Sequence, residues 1–234
     1  MTFERILLPG KHMVIKAVGF DLDGTLVNTH VNYVDLNDVN RFVLEPLGFP
    51  VDEIWADRNL TSRQPFYEWM EHHGRKAEIS RYDKLLDDRC LEVERLGMHG
   101  SKVYSGIMDT LSWLKDNGYK LGVVTRGGHA YATDVLGEYG MLGFFDVIHG
   151  RDDFGYSDAK PSPKAMVHLA EALGVGLDEL LYVGDSPTDF ESADAAGVEY
   201  AGVMTGKGSV ELWSSMSDRI HIIASAAEVR NLLR

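Results

Sequence analysis

Apolar and polar positions along this chain alternate in two distinct regimes. Residues 14–20 are almost entirely apolar and lead directly into two carboxylates, Asp21 and Asp23, in a turn that contains Gly24. A short apolar run bounded by glycine predicts a buried strand. Residues 28–102 carry no comparable pattern and read as helices instead. Val31, Val34, Val39, Phe42 and Val43 recur at helical spacing until Pro46 and Gly48 interrupt them. Phe66, Trp69 and Met70 follow Pro65, a residue suited to a first helical turn. Tyr82, Leu85, Leu86, Arg89 and Val93 make a third amphipathic run that ends at Gly97. Together these predict a small helical bundle.

Strand–helix alternation then resumes. Ser105 is a candidate cap for a helix whose Ile107, Met108, Leu111 and Leu114 share a face. Residues 121–125 predict a strand, 130–139 a helix and 144–148 a strand. Ser162 and Pro163 open a helix with Met166, Leu169, Ala170 and Leu173 inward. Residues 180–183 predict another strand, and Ser186-Pro187 opens the helix that closes at Gly197. Strands over 200–203 and 220–223 and a helix through Leu233 complete the pattern. Such alternation predicts an α/β fold: a Rossmann-like, three-layer core around a parallel sheet with right-handed crossovers. The expected division is a core of residues 1–27 and 103–234 with an all-helical domain, 28–102, inserted after the first strand.

Composition narrows the function. The chain has 234 residues, 44% of them hydrophobic and 25% charged, enough for an α/β domain with an insert. A formal net charge of −13 argues against nucleic acid and against an anionic membrane as partner. The single cysteine, Cys90, cannot form an intrachain disulfide and is read as inert, which points to a reducing, cytoplasmic compartment. No apolar run reaches membrane-spanning length, and residues 1–12 lack a signal-peptide core. Met13 is an alternative start to Met1, which intact-mass measurement would settle.

Candidate chemistry lies at the predicted strand ends, where ligands bind in open α/β sheets. Asp21 and Asp23 repel each other and resist desolvation, so they suit a bound cation and a carboxylate nucleophile better than a plain turn. Thr125-Arg126-Gly127-Gly128 offers a hydroxyl, a guanidinium and unhindered backbone N–H groups that can surround a phosphoryl group, although glycine there also suits an ordinary turn. Lys160, in Ala159-Lys160-Pro161-Ser162-Pro163, can neutralise phosphate or a carboxylate; taken alone, a loop lysine is usually just solvated. Asp189 complements the dipole at a helix start, whereas Asp185 at the strand exit reads better as a metal ligand.

In this order on successive strand ends, the four sites resemble those of the haloacid dehalogenase-like superfamily, most closely its phosphoglycolate-phosphatase-like members, whose helical cap is inserted after the first core strand. The resemblance spans essentially the whole chain. It rests chiefly on Phe20-Asp21-Leu22-Asp23-Gly24-Thr25 and on Gly184-Asp185-Ser186-Pro187-Thr188-Asp189 followed by Ala195-Ala196-Gly197. It implies a Mg2+-dependent phosphatase for a small phosphorylated metabolite: phosphoglycolate-like, a sugar phosphate or a nucleotide. Asp21 would be the nucleophile and Asp23 the acid and base. Asp21, the backbone carbonyl of Asp23 and Asp185 would hold Mg2+. Thr125, Arg126, Gly127 and Lys160 would contact phosphate, with Asp189 behind them. The protein is expected as a monomer or homodimer.

Asp23 argues against dehalogenase chemistry, whose enzymes lack an acid/base carboxylate at that place. The absence of a lysine before Lys76 in the insert argues against phosphonate hydrolysis through a Schiff base. A phosphosugar mutase with the same nucleophile is an alternative, as is an aspartyl-phosphate switch without turnover, against which the insert and the Asp pair count. Arg126 stands where the family commonly has Asn, Asn28 replaces a frequent acidic residue, and Tyr156-Ser157-Asp158 lengthens the approach to Lys160. Specificity is expected from the cap, with Arg63 as a candidate substrate contact; a solvated arginine is the competing expectation. His72, His73 and His129 are cleft candidates without zinc-site spacing.

Overall fold

The computed structural model describes residues 6–8 and 11–233. By compactness the chain divides into two units, Met1–Thr29 with Ser101–Arg234, and His30–Gly100. A start at Met1 lies outside the described residues. Strands β1 (Ile6–Leu8) and β2 (Lys11–Met13) pair antiparallel.

The larger unit is built on a six-stranded parallel sheet. Strand β3 (Ala17–Phe20) occupies its middle, flanked by β6 (Lys120–Val124) and β8 (Leu180–Gly184); β7 (Val147–His149), β9 (Glu199–Val203) and β10 (His221–Ile223) extend it in the order β10-β9-β8-β3-β6-β7. The pair β4 (Val27–Asn28) and β5 (Lys102–Val103) runs antiparallel where the chain leaves and re-enters this unit. Every residue of β3 and β8 is buried, as central parallel strands covered on both faces require. Outside strict strand geometry, Lys16 extends the ladder: its N–H donates to Glu179 O and its carbonyl accepts from Lys120 N.

Five helices cover the sheet: α6 (Ile107–Asp116), α7 (His129–Glu138), α8 (Lys164–Leu173), α9 (Pro187–Ala196) and α10 (Val210–Met216). On α8, Ala165, Met166, Leu169, Ala170 and Leu173 are all buried, and they share a core cluster with Tyr182, Tyr200 and Trp213. This is the inward face expected from the sequence. Truncating Met166, Leu169 or Leu173 to alanine costs about 2–5 kcal/mol, because the rigid sheet cannot collapse into the void.

Several local expectations need correction. Helix α6 is capped by Gly106, in a left-handed conformation, and not by Ser105. The strand expected over 144–148 shortens to β7, because Leu142–Phe144 forms a 3-10 turn. The C-terminal helix is a 3-10 turn, Ala226–Asn231. Each is an element end, where tertiary contacts outweigh propensity.

The smaller unit contains α1 (Tyr33–Asn37), α2 (Val39–Leu44), α3 (Val51–Trp55), α4 (Gln64–His72) and α5 (Ile79–Leu96), and no strand among its residues. The first helical run breaks at Asp38 into α1 and α2, and α3 is an additional helix that its short apolar pattern did not announce. The core of this unit is aromatic: Phe49 meets Phe66 and Tyr82 edge-on, with ring centroids 5.2 and 5.0 Å apart. Cys90 lies buried in that core. No helix among the described residues is long and apolar enough to cross a membrane.

Candidate active site

The carboxyl ends of β3, β6 and β8 converge on one polar cluster. Asp21 follows β3 directly and is only 7% exposed. The chain then turns tightly: Leu22 O accepts from the N–H groups of Leu26 and Val27, and Gly24 N donates to Val27 O. Asp23 is half-buried on that turn. Its Oδ1 accepts from Thr29 Oγ1 and from Tyr131 Oη, each at 2.6 Å.

Lys160 is the cation of the cluster. Its Nζ donates to Asp21 Oδ1 at 2.7 Å, to Asp189 Oδ1 at 2.5 Å and to the Tyr182 hydroxyl at 2.8 Å. The Tyr182 hydroxyl in turn donates to Val124 O at 2.7 Å, just before Thr125. Burial opposes the ammonium charge, but Asp189 and Asp21 outweigh it and hold Lys160 above the usual lysine range.

Asp185 follows β8 and is 4% exposed. Its Oδ2 accepts from Lys207 N at 2.8 Å. Asp189 sits in the first turn of α9, where its Oδ2 accepts from both N and Oγ of Ser186, closing a capping box. The sequence's reading of Ser186 as cap and Pro187 as first helical residue matches this geometry. With one oxygen on Lys160 and the other on Ser186, Asp189 is fully engaged within the protein.

Carboxylate oxygens of Asp21, Asp185 and Asp189 lie within 4.8 Å of one another. Asp21 and Asp189 share Lys160, and Lys207 lies near Asp185, so the acids still outnumber the cations and negative charge is in excess. Burial first, then repulsion among the acids, pushes Asp21 well above the usual carboxylate range and Asp185 up to about 6. Burial also raises Asp23, against the hydrogen bonds from Thr29 and Tyr131. Hard oxygen donors with uncompensated charge fit a divalent cation such as Mg2+.

A second observation supports that fit. The loop after β9 wraps around Asp185: Thr205 Oγ1 donates to Gly24 O at 2.6 Å, and a Cβ at either Gly24 or Gly206 would collide with the Asp185 carboxylate. Both glycines have positive φ, +85° and +59°. Thr205, Gly206 and Lys207 escaped the sequence reading, as did Tyr131 and Tyr182. A Thr-Gly pair after an apolar strand was the only available signal for the first three.

Thr125 is buried after β6. Its Oγ1 accepts from Gly127 N at 3.0 Å, so the Gly127 N–H expected to meet phosphate is turned inward, and the Thr125 O–H is left to donate. Arg126 is exposed. The following segment grips this loop from the other side: Arg151 N donates to Gly127 O at 2.9 Å, Arg151 Nη1 to Arg126 O at 3.1 Å, and Asp152 Oδ1 accepts from His129 N at 2.7 Å. His129 itself pairs through Nδ1 with Asp153, at 2.7 Å.

Arg63 belongs to the helical unit and is 3% exposed, which corrects the expectation of a solvated side chain. It donates to Asp83 at 3.2 Å and to Asp87 at 2.7 Å, and Tyr67 Oη also donates to Asp83. His73 stacks on Trp69 in the same unit, with ring centroids 3.9 Å apart.

Residues 15–197 match the family model described as haloacid dehalogenase-like hydrolase. The chain belongs to the haloacid dehalogenase-like hydrolases. It is 31% identical over 224 residues to a phosphoglycolate phosphatase of Nitrosococcus oceani, covering 91% of this chain and 94% of that one. It is 28% identical over 213 residues to the phosphoglycolate phosphatase of Escherichia coli K12, with 82% of each covered. Among solved structures, a HAD phosphatase from Thermococcus onnurineus superposes with a TM-score of 0.59 at 29% identity, covering 94% of this chain and 98% of that one. The α/β core with an inserted helical unit is thus the fold of this hydrolase family.

Proposed function

We propose that this haloacid dehalogenase-like hydrolase is a Mg2+-dependent phosphatase that hydrolyses a small phosphomonoester, of the phosphoglycolate, sugar-phosphate or nucleotide kind, through an aspartyl phosphate on Asp21. The observation that supports it most directly is Asp21 itself: a carboxylate at the end of the central strand, steadied by Lys160 and adjoining Asp185, with Asp23 on the next turn. The phosphoglycolate phosphatases similar to this chain favour the same reading.

Asp21 attacks phosphorus as the bond to the leaving oxygen breaks, and Asp23 gives that oxygen a proton. Asp23, now ionised, takes a proton from the water that attacks the phosphoenzyme, releasing inorganic phosphate and the Asp21 carboxylate. The Thr125 hydroxyl and the Lys160 ammonium stabilise phosphoryl oxygens as their charge redistributes. Asp21, the Asp23 backbone carbonyl and Asp185 would hold the metal, with Asp189 fixing Lys160 and the start of α9. A bound Mg2+ supplies charge neutralisation, which lets an anionic nucleophile approach an anionic phosphate.

The test is phosphate release from a panel containing phosphoglycolate, sugar phosphates, nucleotides and p-nitrophenyl phosphate, with Mg2+ or chelator. Release that needs both Mg2+ and Asp21 is expected, and Asp21→Asn should abolish it. Turnover that survives Asp21→Asn, or none by the folded wild type on any ester, overturns the reading.

A further inference from the structure

Tyr131 joins two parts of the site that the sequence keeps apart. It lies in the first turns of α7, fully buried, and its hydroxyl donates to Asp23 Oδ1 at 2.6 Å. Its ring also backs the loop after β6: a Cβ on Gly127 would come within 2.7 Å of ring Cδ1. One side chain therefore touches both the carboxyl read as acid and base and the loop that carries Thr125.

The hydrogen bonds at Asp23 are asymmetric. Thr29 Oγ1 donates to the same Oδ1, also at 2.6 Å, whereas Oδ2 accepts no hydrogen bond among the described residues. A carboxyl oxygen has two in-plane lone pairs. Both of those on Oδ1 are taken, so a proton on this carboxyl has its place on Oδ2.

We propose that Tyr131 is a positioning residue for proton transfer, fixing the Asp23 carboxyl so that Oδ2 is the atom that delivers and recovers the proton. This rests on the reading of Asp23 as the acid and base. When the P–O bond to the leaving group breaks, its electron pair stays on the leaving oxygen, which takes the proton from Oδ2. In the second half, Oδ2 takes a proton from water as the water oxygen bonds to phosphorus and the Asp21 oxygen departs with its electron pair. The Tyr131 hydroxyl keeps its hydrogen throughout. Without it Thr29 alone holds Oδ1, one lone pair there is free to carry the proton, and the proton is no longer confined to Oδ2.

The experiment compares two esters. An alkyl phosphomonoester expels a basic alkoxide that needs a proton; p-nitrophenyl phosphate expels a weak base that does not. Tyr131→Phe keeps the ring that packs on Gly127 and removes only the hydroxyl. It should lower kcat/KM on the alkyl ester by about tenfold or more and change kcat/KM on p-nitrophenyl phosphate by less than about threefold. Asp23→Asn should show the same selectivity with a larger loss, and adding Tyr131→Phe to it should cost nothing further. Thermal unfolding checks that each variant is folded. An equal loss on both esters, no loss on either, or an additive loss in the Asp23→Asn background overturns the role of Tyr131 while leaving that of Asp23 intact. An equal loss on both esters from Asp23→Asn alone overturns the acid assignment, and the inference with it.

Discussion

Lys160 Nζ and Asp189 Oδ1 form an ion pair 2.5 Å long in which each side chain is only 1% exposed. Removing one partner leaves the other charge buried, the costliest kind of deletion in a protein interior. Lys160→Met is therefore expected to destabilise the fold by about 3–5 kcal/mol near neutral pH, read from denaturant unfolding. Lys160→Met combined with Asp189→Asn should recover much of that stability yet remain inactive, because the ammonium beside Asp21 is still missing.

Asp185 is pressed by the backbone of Gly206. Gly206→Ala pays for a left-handed alanine, roughly 1 kcal/mol, and also displaces the carboxylate. Half-maximal activity should then require at least about tenfold more Mg2+. Gly197→Ala is the control: φ is also positive, +74°, but a Cβ there meets nothing within 4 Å. That variant should lose stability alone, with the Mg2+ titration unchanged.

Stability should depend on pH through Asp185 in a direction opposite to an ordinary salt-bridged aspartate. Its carboxyl is raised to about 6 in the folded protein, chiefly by burial. The fold thus favours the protonated form; the associated stability is full below the ordinary carboxylate range near 4 and is lost as pH rises through about 6. In chelator, the stability difference between wild type and Asp185→Asn should move against the wild type across that window, by at most about 3 kcal/mol. Mg2+ at pH 7.5 should reverse this for the wild type, since metal binding requires the deprotonated carboxylate. A difference that is flat with pH in chelator would remove Asp185 as its source.

Arg63 holds Asp83 and Asp87 of α5 against the start of α4. Arg63→Ala leaves both carboxylates without that guanidinium, and because they are partly exposed the expected cost is moderate, about 1–3 kcal/mol. Arg63→Lys should restore only part of it, since an ammonium cannot span two carboxylates as a planar fork does. If Arg63→Ala instead unfolds like the wild type but changes the ranking of phosphoesters, the side chain contacts substrate.

Which parts of the site were legible follows from where its residues sit. Asp21, Thr125 and Asp185 each follow a short apolar run, so burial periodicity alone put them at the same edge of one sheet. Ser186, Pro187 and Asp189 were legible for a different reason, because helix-start chemistry is local. Lys160 lies on a loop, and only its place in the motif order marked it. Tyr131, Tyr182 and the Thr205-Gly206-Lys207 loop had no such marker. An aromatic residue on a helix or strand reads as core, and these two are indeed core; their hydroxyls matter because of what folding sets beside them.

The chain's own pattern of apolar runs, caps and breakers determined an α/β core, a helical insert after the first strand, and a set of carboxylates at strand ends, because each of those depends on residues near in sequence. The tertiary structure alone decided that Arg63 is spent on internal ion pairs, that Gly127 turns its N–H toward Thr125, that Gly206 closes on Asp185 and that Tyr131 reaches Asp23. Hydrogen bonds and close contacts act over a few ångströms, and residues 108 positions apart come within that range only once the sheet has assembled.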